Sequence, residues 1–351
     1  MTKKTICSIV GARPQFIKAA TISRAFRKHT KIDEKIIHTG QHYDANMSDI
    51  FFDGLGIPTP SYQMHHGNLT HGQMTGRMIE SLEEVFLKEQ PDAILIYGDT
   101  NSTLAGAIAA IKIHIPVIHI EAGLRSYNRK MPEEINRILS DQVSDLLFCP
   151  TKTAVENLKN EGISAGVHMV GDVMHDATLY AIEQTRGKNE LLKKLDLIDK
   201  PYGVCTLHRA ENTNNEHRFK KLIAFLEEQA QERKIIFPVH PRTHKIMAER
   251  GLAPRGVTQI DPLDYFELAE LLANCELVLT DSGGLQKEAY FHRKPCITLR
   301  DETEWVETIT SGWNRLWTVP EWRGDRDNIV DYGLGNAAEI TVQLIAEHLN
   351  K

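Results

Sequence analysis

Six short apolar runs punctuate the chain, and each ends abruptly in a polar or charged cluster. Ile6–Val10 runs into Gly11-Ala12-Arg13, Ile94–Tyr97 into Gly98-Asp99, and Val117–Ile120 into Glu121. Val204–Leu207 precedes His208-Arg209, Ile235–Val239 precedes His240, and Leu277–Thr280 precedes Asp281-Ser282-Gly283-Gly284. Runs this short, rich in Val and Ile and without alternation, predict strands buried on both faces. Between them lie stretches with helical spacing, such as 72–88, where Met74, Met78, Leu82, Val85 and Phe86 recur along one face. The pattern predicts strands at 5–10, 35–39, 93–97, 116–120 and 146–149, separated by helices at 14–29, 72–88, 101–112 and 132–144. A second series begins near 167 and continues through strands 202–207, 234–239, 276–280 and 295–299, with a helix at 215–231 and a last one at 336–349. The polar segment 184–200 is expected on the surface.

Strict strand–helix alternation predicts parallel sheets with helices on both faces, hence an α/β fold. The expected organisation is two Rossmann-like domains facing a cleft. The first covers 1–168 and takes back the terminal helix 336–351; the second covers 169–335. Ligands in such sheets sit outside the carboxyl ends of the strands, so the polar clusters outline one site built from many strand ends.

Composition narrows the function classes. At 351 residues, the chain holds two ordinary domains. A formal net charge of −6 with a quarter of residues charged gives no basic footprint for nucleic acid. No apolar stretch is long enough to span a bilayer, and no secretory leader is apparent, so a cytoplasmic, membrane-free protein is expected. The five cysteines lie in or beside apolar runs, which predicts buried reduced thiols. They show neither pairing nor C-x-x-C spacing, and His65, His66 and His71 have no carboxylate partner or helical i, i+4 pair, so no metal is expected.

Several clusters carry chemistry. Ser282-Gly283-Gly284 follows a strand and opens a helix, where free N–H groups attract a phosphate, although a plain Ser-capped turn has the same sequence. Glu288, one turn on, is placed to accept bonds from ribose hydroxyls. Arg13 and Lys18, one helical turn apart, form a candidate diphosphate clamp. Asp99, Glu121, Glu133 or Glu134, and His208 are the acid–base candidates. One of the two adjacent glutamates is accounted for by the helix dipole. His240 either contacts the nucleotide or supports the cleft wall. Of the four tryptophans, only Trp305 is a candidate sugar platform; the rest read as packing.

Taken in order, these motifs resemble those of the non-hydrolysing UDP-N-acetylglucosamine 2-epimerase family. They are Gly11-x-Arg13-Pro14 with Lys18, Gly40-Gln41-His42, Gly98-Asp99-Thr100 and His119-x-Glu121-Ala122-Gly123-Leu124-Arg125. Pro132-Glu133-Glu134-x-Asn136-Arg137, His208-Arg209-x-Glu211 and Asp281-Ser282-Gly283-Gly284-x-Gln286-x-Glu288 complete the set. The resemblance implies a glycosyltransferase-B-like fold, a homodimer, no cofactor and elimination and re-addition of UDP through a 2-acetamidoglucal. It assigns proton transfer to Asp99, Glu121, Glu133 and His208. It assigns substrate binding to Arg13, Lys18, Ser282, Gly283, Gly284 and Glu288, beside which Arg137 and His240 are further substrate-binding candidates, with Gln41 and His42 near a regulatory position. The family's T-E-R-P-E is Thr303-Glu304-Trp305-Val306-Glu307 here, which removes an arginine from the diphosphate and makes Arg300 the candidate substitute. Such variants resemble the subgroup acting on UDP-2,3-diacetamido-2,3-dideoxyglucuronate in surface-polysaccharide synthesis; UDP-N-acetylglucosamine is the other candidate substrate. Two rival readings are a UDP-sugar transferase of the same fold and a non-catalytic UDP-sugar sensor.

Overall fold

A computed structural model describes residues 3–29, 31–41, 55–67 and 69–350. The chain divides into two compact units, one made of 1–177 with 330–351 and the other of 178–329.

The first unit is wound on a seven-stranded parallel sheet. Its strands are β1 (Lys4–Val10), β2 (Ile32–His38), β3 (Tyr62–Gln63), β4 (Ala93–Tyr97), β5 (Val117–Ile120), β6 (Leu146–Cys149) and β7 (Val167–Met169). Their order is β3-β2-β1-β4-β5-β6-β7. The chain winds outward from β1, returns, and winds the other way from β4. The strand ends of β1 and β4 therefore flank the topological switch point, where Gly11 and Gly98 lie. The helix His71–Glu89 buries Met78, Leu82, Val85 and Phe86 against this sheet. The helix Ala337–His348 belongs to this unit, packs on the helix Arg13–Phe26, and is capped at Ala337 N and Ala338 N by the Asp176 carboxylate at 3.2 and 2.8 Å.

The second unit repeats the plan with six parallel strands. They are β8 (Tyr202–Thr206), β9 (Lys234–Pro238), β10 (Val257–Ile260), β11 (Leu277–Thr280), β12 (Cys296–Thr298) and β13 (Asn314–Leu316). The order β10-β9-β8-β11-β12-β13 puts its switch point between β8 and β11, at His208 and Asp281. The segment 184–200, expected on the surface, is more than that. Its Leu191, Leu192 and Leu197 are buried in the core beside Val204 and Leu271. The five cysteines are free and buried, and burial pushes the Cys7 and Cys275 thiols up to about 12.

One half-buried carboxyl in the first unit sits where its charged form is disfavoured. Glu34 takes a 2.5 Å bond from Ser8 Oγ. Burial raises its pKa from 4.5 to about 7, against the pull of Ser23, Ser8 and Arg27. In the unfolded chain it ionises near 4.5, so its stabilising contribution is complete below that pH and is lost as pH rises to about 7. Glu34→Gln keeps an acceptor for Ser8 and removes the ionisation. At pH 8 it is expected to stabilise the protein by up to about 3 kcal/mol, and at pH 4 to change little. Urea unfolding at the two pH values checks this; an equal effect at both would contradict the assignment.

Candidate functional site

In the first unit, Tyr97 of β4 pairs with Ile120 of β5, so the residues after them emerge side by side. Gly98 turns the chain with φ +61, and a Cβ there would stand 3.3 Å from Lys18 Nζ and 3.5 Å from Glu121 Oε1. Glu121 itself sits at φ +68, an unfavourable angle for a side-chain-bearing residue. Its amide and that of Ala122 both donate to the Phe148 carbonyl at 3.1 Å. Lys18, one turn into the helix Arg13–Phe26, pairs with Glu121 at 2.5 Å; both side chains are largely buried.

Asp99 pairs with Arg137 at 2.7 Å; the guanidinium is buried and the carboxylate remains 31% open. Removal from water raises the Asp99 pKa; the Arg137 charge opposes this, and the Glu133 and Glu121 carboxylates add to the rise. The helix Pro132–Gln142 sorts its two glutamates. Glu134 is buried and accepts from Ser126 N, Ser126 Oγ and Tyr127 N at 2.9, 3.0 and 2.8 Å, so it holds a turn. Glu133 is half-buried and is the one that acts electrostatically on Asp99.

The Gly11–Arg13 turn differs from an open anion nest. Gln15 Oε1 accepts from Gly11 N and Ala12 N at 2.9 and 3.1 Å, while its Nε2 donates to the Tyr97 carbonyl at 2.9 Å. An amide suits this place because it must accept on one side and donate on the other. Those backbone donors are taken, so any anion contact here falls to the side chains of Arg13 and Lys18. Gly11 is needed for close approach: a Cβ would fall 2.2 Å from both Ser102 Oγ and Thr39 Oγ1. Gln41 Oε1 accepts from Ser102 N and Oγ at 3.0 and 2.8 Å, next to the start of the helix Asn101–Lys112. His42 lies outside the described residues. His66 bonds Ser81 and His71 bonds Asn101, and among the described residues no group of three metal-ligating side chains forms.

The second unit organises its switch point around Asp281, fully buried and absent from the expected site set. Its carboxylate accepts from His208 N at 3.0 Å, Arg209 N at 2.8 Å and Asn212 Nδ2 at 3.0 Å. His208 Nδ1 lies 3.2 Å from it, and the ring is 41% open. The His240 ring lies tilted by 32° with its centre 6.0 Å from that of His208, and it caps the helix Pro241–Arg250 by accepting from Arg242 N. Ser282 caps the helix Gly283–Phe291, and Ser282, Gly283 and Gly284 remain half-open at its start. Around Gly283 stand the Glu304 carboxylate and the Arg209 guanidinium, 2.6 and 3.5 Å from where a Cβ would be. Beside Gly284 lies the Glu288 carboxylate, 3.6 Å from the corresponding point. A half-open helix N-terminus with a guanidinium alongside suits a phosphate.

Two expected contributors are covered by neighbouring side chains. Arg300 is 1% exposed, with Nη1 on Glu304 at 2.9 Å and Nε 3.8 Å from Glu211. It backs the carboxylate beside Gly283 rather than lying open. Trp305 is 3% exposed and carries Lys287 Nζ 3.7 Å from its ring centre. A ring so covered offers no sugar platform, so all that remains for it is packing.

Comparison with known proteins gives a consistent set. The profile of the UDP-N-acetylglucosamine 2-epimerase family matches residues 24–332. A UDP-2,3-diacetamido-2,3-dideoxy-D-glucuronate 2-epimerase of Pseudomonas aeruginosa is 53% identical over 89% of this chain and 87% of its own. A UDP-N-acetylglucosamine 2-epimerase homolog of Methanococcus maripaludis is 52% identical over 89% and 88%. Among solved structures, the Methanocaldococcus jannaschii UDP-GlcNAc 2-epimerase in complex with UDP-GlcNAc and UDP superposes with a TM-score of 0.89 at 40% identity, covering 99% of this chain and 100% of that one.

Proposed function

Because the chain belongs to the UDP-N-acetylglucosamine 2-epimerase family, we infer that it is a UDP-sugar 2-epimerase that inverts C2 of a 2-acetamido sugar. The observation that carries the chemistry is the gathering of Asp99, Glu121 and Glu133 around the Gly98 turn, with Arg137 and Lys18 among them. A carboxyl whose pKa is raised while it keeps a guanidinium partner is suited to taking and returning a proton.

The C2 hydrogen is not beside a carbonyl, so direct enolisation is closed to it. A base of the acidic set removes the C2 proton. The C1–oxygen bond breaks, its electron pair leaves with UDP, and C1=C2 forms as a 2-acetamidoglucal. UDP oxygen then adds back to C1, and a proton is delivered to C2 on the other face. Ser282, Gly283 and Gly284 hold the diphosphate, Glu288 accepts from the ribose, and Arg209 adds a cation to the phosphate side. In the first unit, Arg13 and Lys18 are the candidate cations, Lys18 beside Glu121. His208 shuttles a proton at the departing or returning oxygen, and His240 holds its ring. Retention of UDP matters because the intermediate must meet the same nucleotide again. We assign the working form as a cytoplasmic homodimer; sedimentation equilibrium tests its size.

The substrate is UDP-2,3-diacetamido-2,3-dideoxyglucuronate or UDP-N-acetylglucosamine, the classes on which relatives at 53% and 46% identity are named. Incubation with each sugar alone in heavy water, read by proton NMR at C2, is expected to show deuterium entering one of them together with the C2 epimer. No deuterium in either would overturn the assignment, and a transferase lacking an acceptor would give that result.

A further inference from the structure

Three successive peptide carbonyls at the end of β4 are held by side chains from three different elements. Gln15 Nε2 donates to the Tyr97 carbonyl at 2.9 Å, His119 Nε2 to Gly98 at 2.7 Å, and Asn136 Nδ2 to Asp99 at 2.9 Å. Tyr97 has a second donor in Thr103 Oγ1 at 2.7 Å. The Gly98 carbonyl is held by His119 from within a chain of buried charge. His119 Nδ1 is 2.7 Å from Asp141 Oδ1. Asp141 Oδ2 accepts from Gly123 N at 3.1 Å and Arg125 Nη1 at 2.7 Å. Arg125 then grips Glu161 with two bonds of 2.7 Å. His119, Asp141 and Arg125 are 0, 1 and 5% exposed, so His119 does not meet substrate.

A carbonyl can only accept, so Nε2 must carry a proton, and Asp141 fixes the other side of the ring. The imidazole is thus locked in orientation by groups that lie away from the Gly98 turn. Its strand places it two residues before Glu121, and its bond ends on the peptide that leads into Asp99. One side chain therefore fixes the approach to both carboxylates.

We propose that His119 is a positioning residue for the C2 proton transfer, holding the left-handed Gly98 peptide so that the Asp99 and Glu121 carboxylates stay in register. It rests on the reading of Asp99 as an acid–base group. A purely structural histidine would affect stability alone. A positioning one affects kcat, and the ionisation of Asp99, in molecules that remain folded.

The test compares His119→Phe, which removes both ring donors, with His119→Gln, which keeps a donor within reach of the Gly98 carbonyl, and His119→Asn, which does not. In His119→Phe, kcat is expected to fall about 100-fold with KM changed less than about threefold, the scale of a misplaced reacting group. His119→Gln is expected to recover at least about tenfold of that loss. A folded His119→Phe whose kcat stays within about threefold of the parent overturns the proposal. If His119→Phe does not fold, equal kcat for His119→Gln and His119→Asn overturns it. A second readout needs no turnover: carbon-13 titration of the Asp99 carboxyl in ligand-free protein. The titration is expected to move toward the ordinary 3.8 in His119→Asn as the carboxylate swings into water, and to stay high in His119→Gln. An unmoved titration overturns the proposal. A moved titration in a protein that exchanges no C2 hydrogen sustains the positioning role and refutes the epimerase reading instead.

Discussion

Replacing Asp99 with asparagine is expected to slow C2 hydrogen exchange by about 1,000-fold, within the range for removing a positioned acid or base. Asparagine keeps the size of the side chain and an oxygen to accept from Arg137, now 2.7 Å from the carboxylate. It cannot take up a proton. UDP affinity, which we assign to the Ser282–Gly284 turn and its flanking cation, is expected to change less than about threefold, under 1 kcal/mol. Calorimetric titration with UDP and NMR exchange on one preparation separate the two. Exchange within tenfold of the parent would remove Asp99 from the catalytic set. The parent's own pH profile carries a matching signature. The Asp99 pKa is raised by burial and by Glu133 and Glu121, so the base form appears only above the ordinary 3.8. The acid limb of kcat is therefore expected above that value, and it belongs to the coupled carboxyls as a group.

The second large effect is expected at Asp281→Ala. This carboxylate is fully buried and takes bonds from two backbone amides and the Asn212 amide. Alanine leaves the His208 and Arg209 amides without an acceptor in the interior, while Asn212 Nδ2 keeps only the Leu299 carbonyl at 3.0 Å. The expected loss is about 3–5 kcal/mol of stability, the scale for stripping one partner from a buried charged network. The same substitution frees the backbone of His208 and Arg209, so activity is expected to fall further than stability explains. Ser282→Ala, a few ångströms along the chain, removes only a cap bond to Leu285 N and should cost about 1 kcal/mol. Urea unfolding of both variants makes the comparison. An Asp281→Ala protein as stable as Ser282→Ala would show that the turn holds without its carboxylate.

How much of this was readable in advance depends on where the burial lies. β4, β5, β8 and β11 are mostly apolar and were legible, because central parallel strands are covered on both faces. β10 and β13 carry Thr, Gln, Asn and Arg at sheet edges, and β3 has two residues, so no apolar run announced them. β2 starts three residues before the expected 35 because Asp33 and Glu34 interrupt its apolar signal. The first helix stops at Phe26, where its buried side chains stop, although the polar Arg27–His29 could have continued it. Leu191, Leu192 and Leu197 were hidden among polar neighbours.

The same logic divides the site. Asp99 and Glu121 stand out as charges against apolar runs, and β4–β5 pairing brings the two together; Arg137 was legible only through its motif. The choice between Glu133 and Glu134 needed the helix's rotation, which buries one and half-exposes the other. Asp141 was not singled out, and Asp281 was quoted in its motif but given no role, because their importance lies in partners 22 and 73 positions away. Such pairings depend on strand register and helix facing, which no local pattern encodes. A polar residue one place before a strand end, like His119, was the one local hint available.

The division of the chain also bears on the order of its assembly. Residues 178–329 are an unbroken stretch, while the first unit needs both 1–177 and 330–351. During synthesis the second unit is complete before the helix Ala337–His348 has been made. Until then the helix Arg13–Phe26 lacks the neighbour that covers it, and Asp176 has no helix start to cap. The unit bearing Asp99, Glu121 and Glu133 is thus the last to have its chain completed.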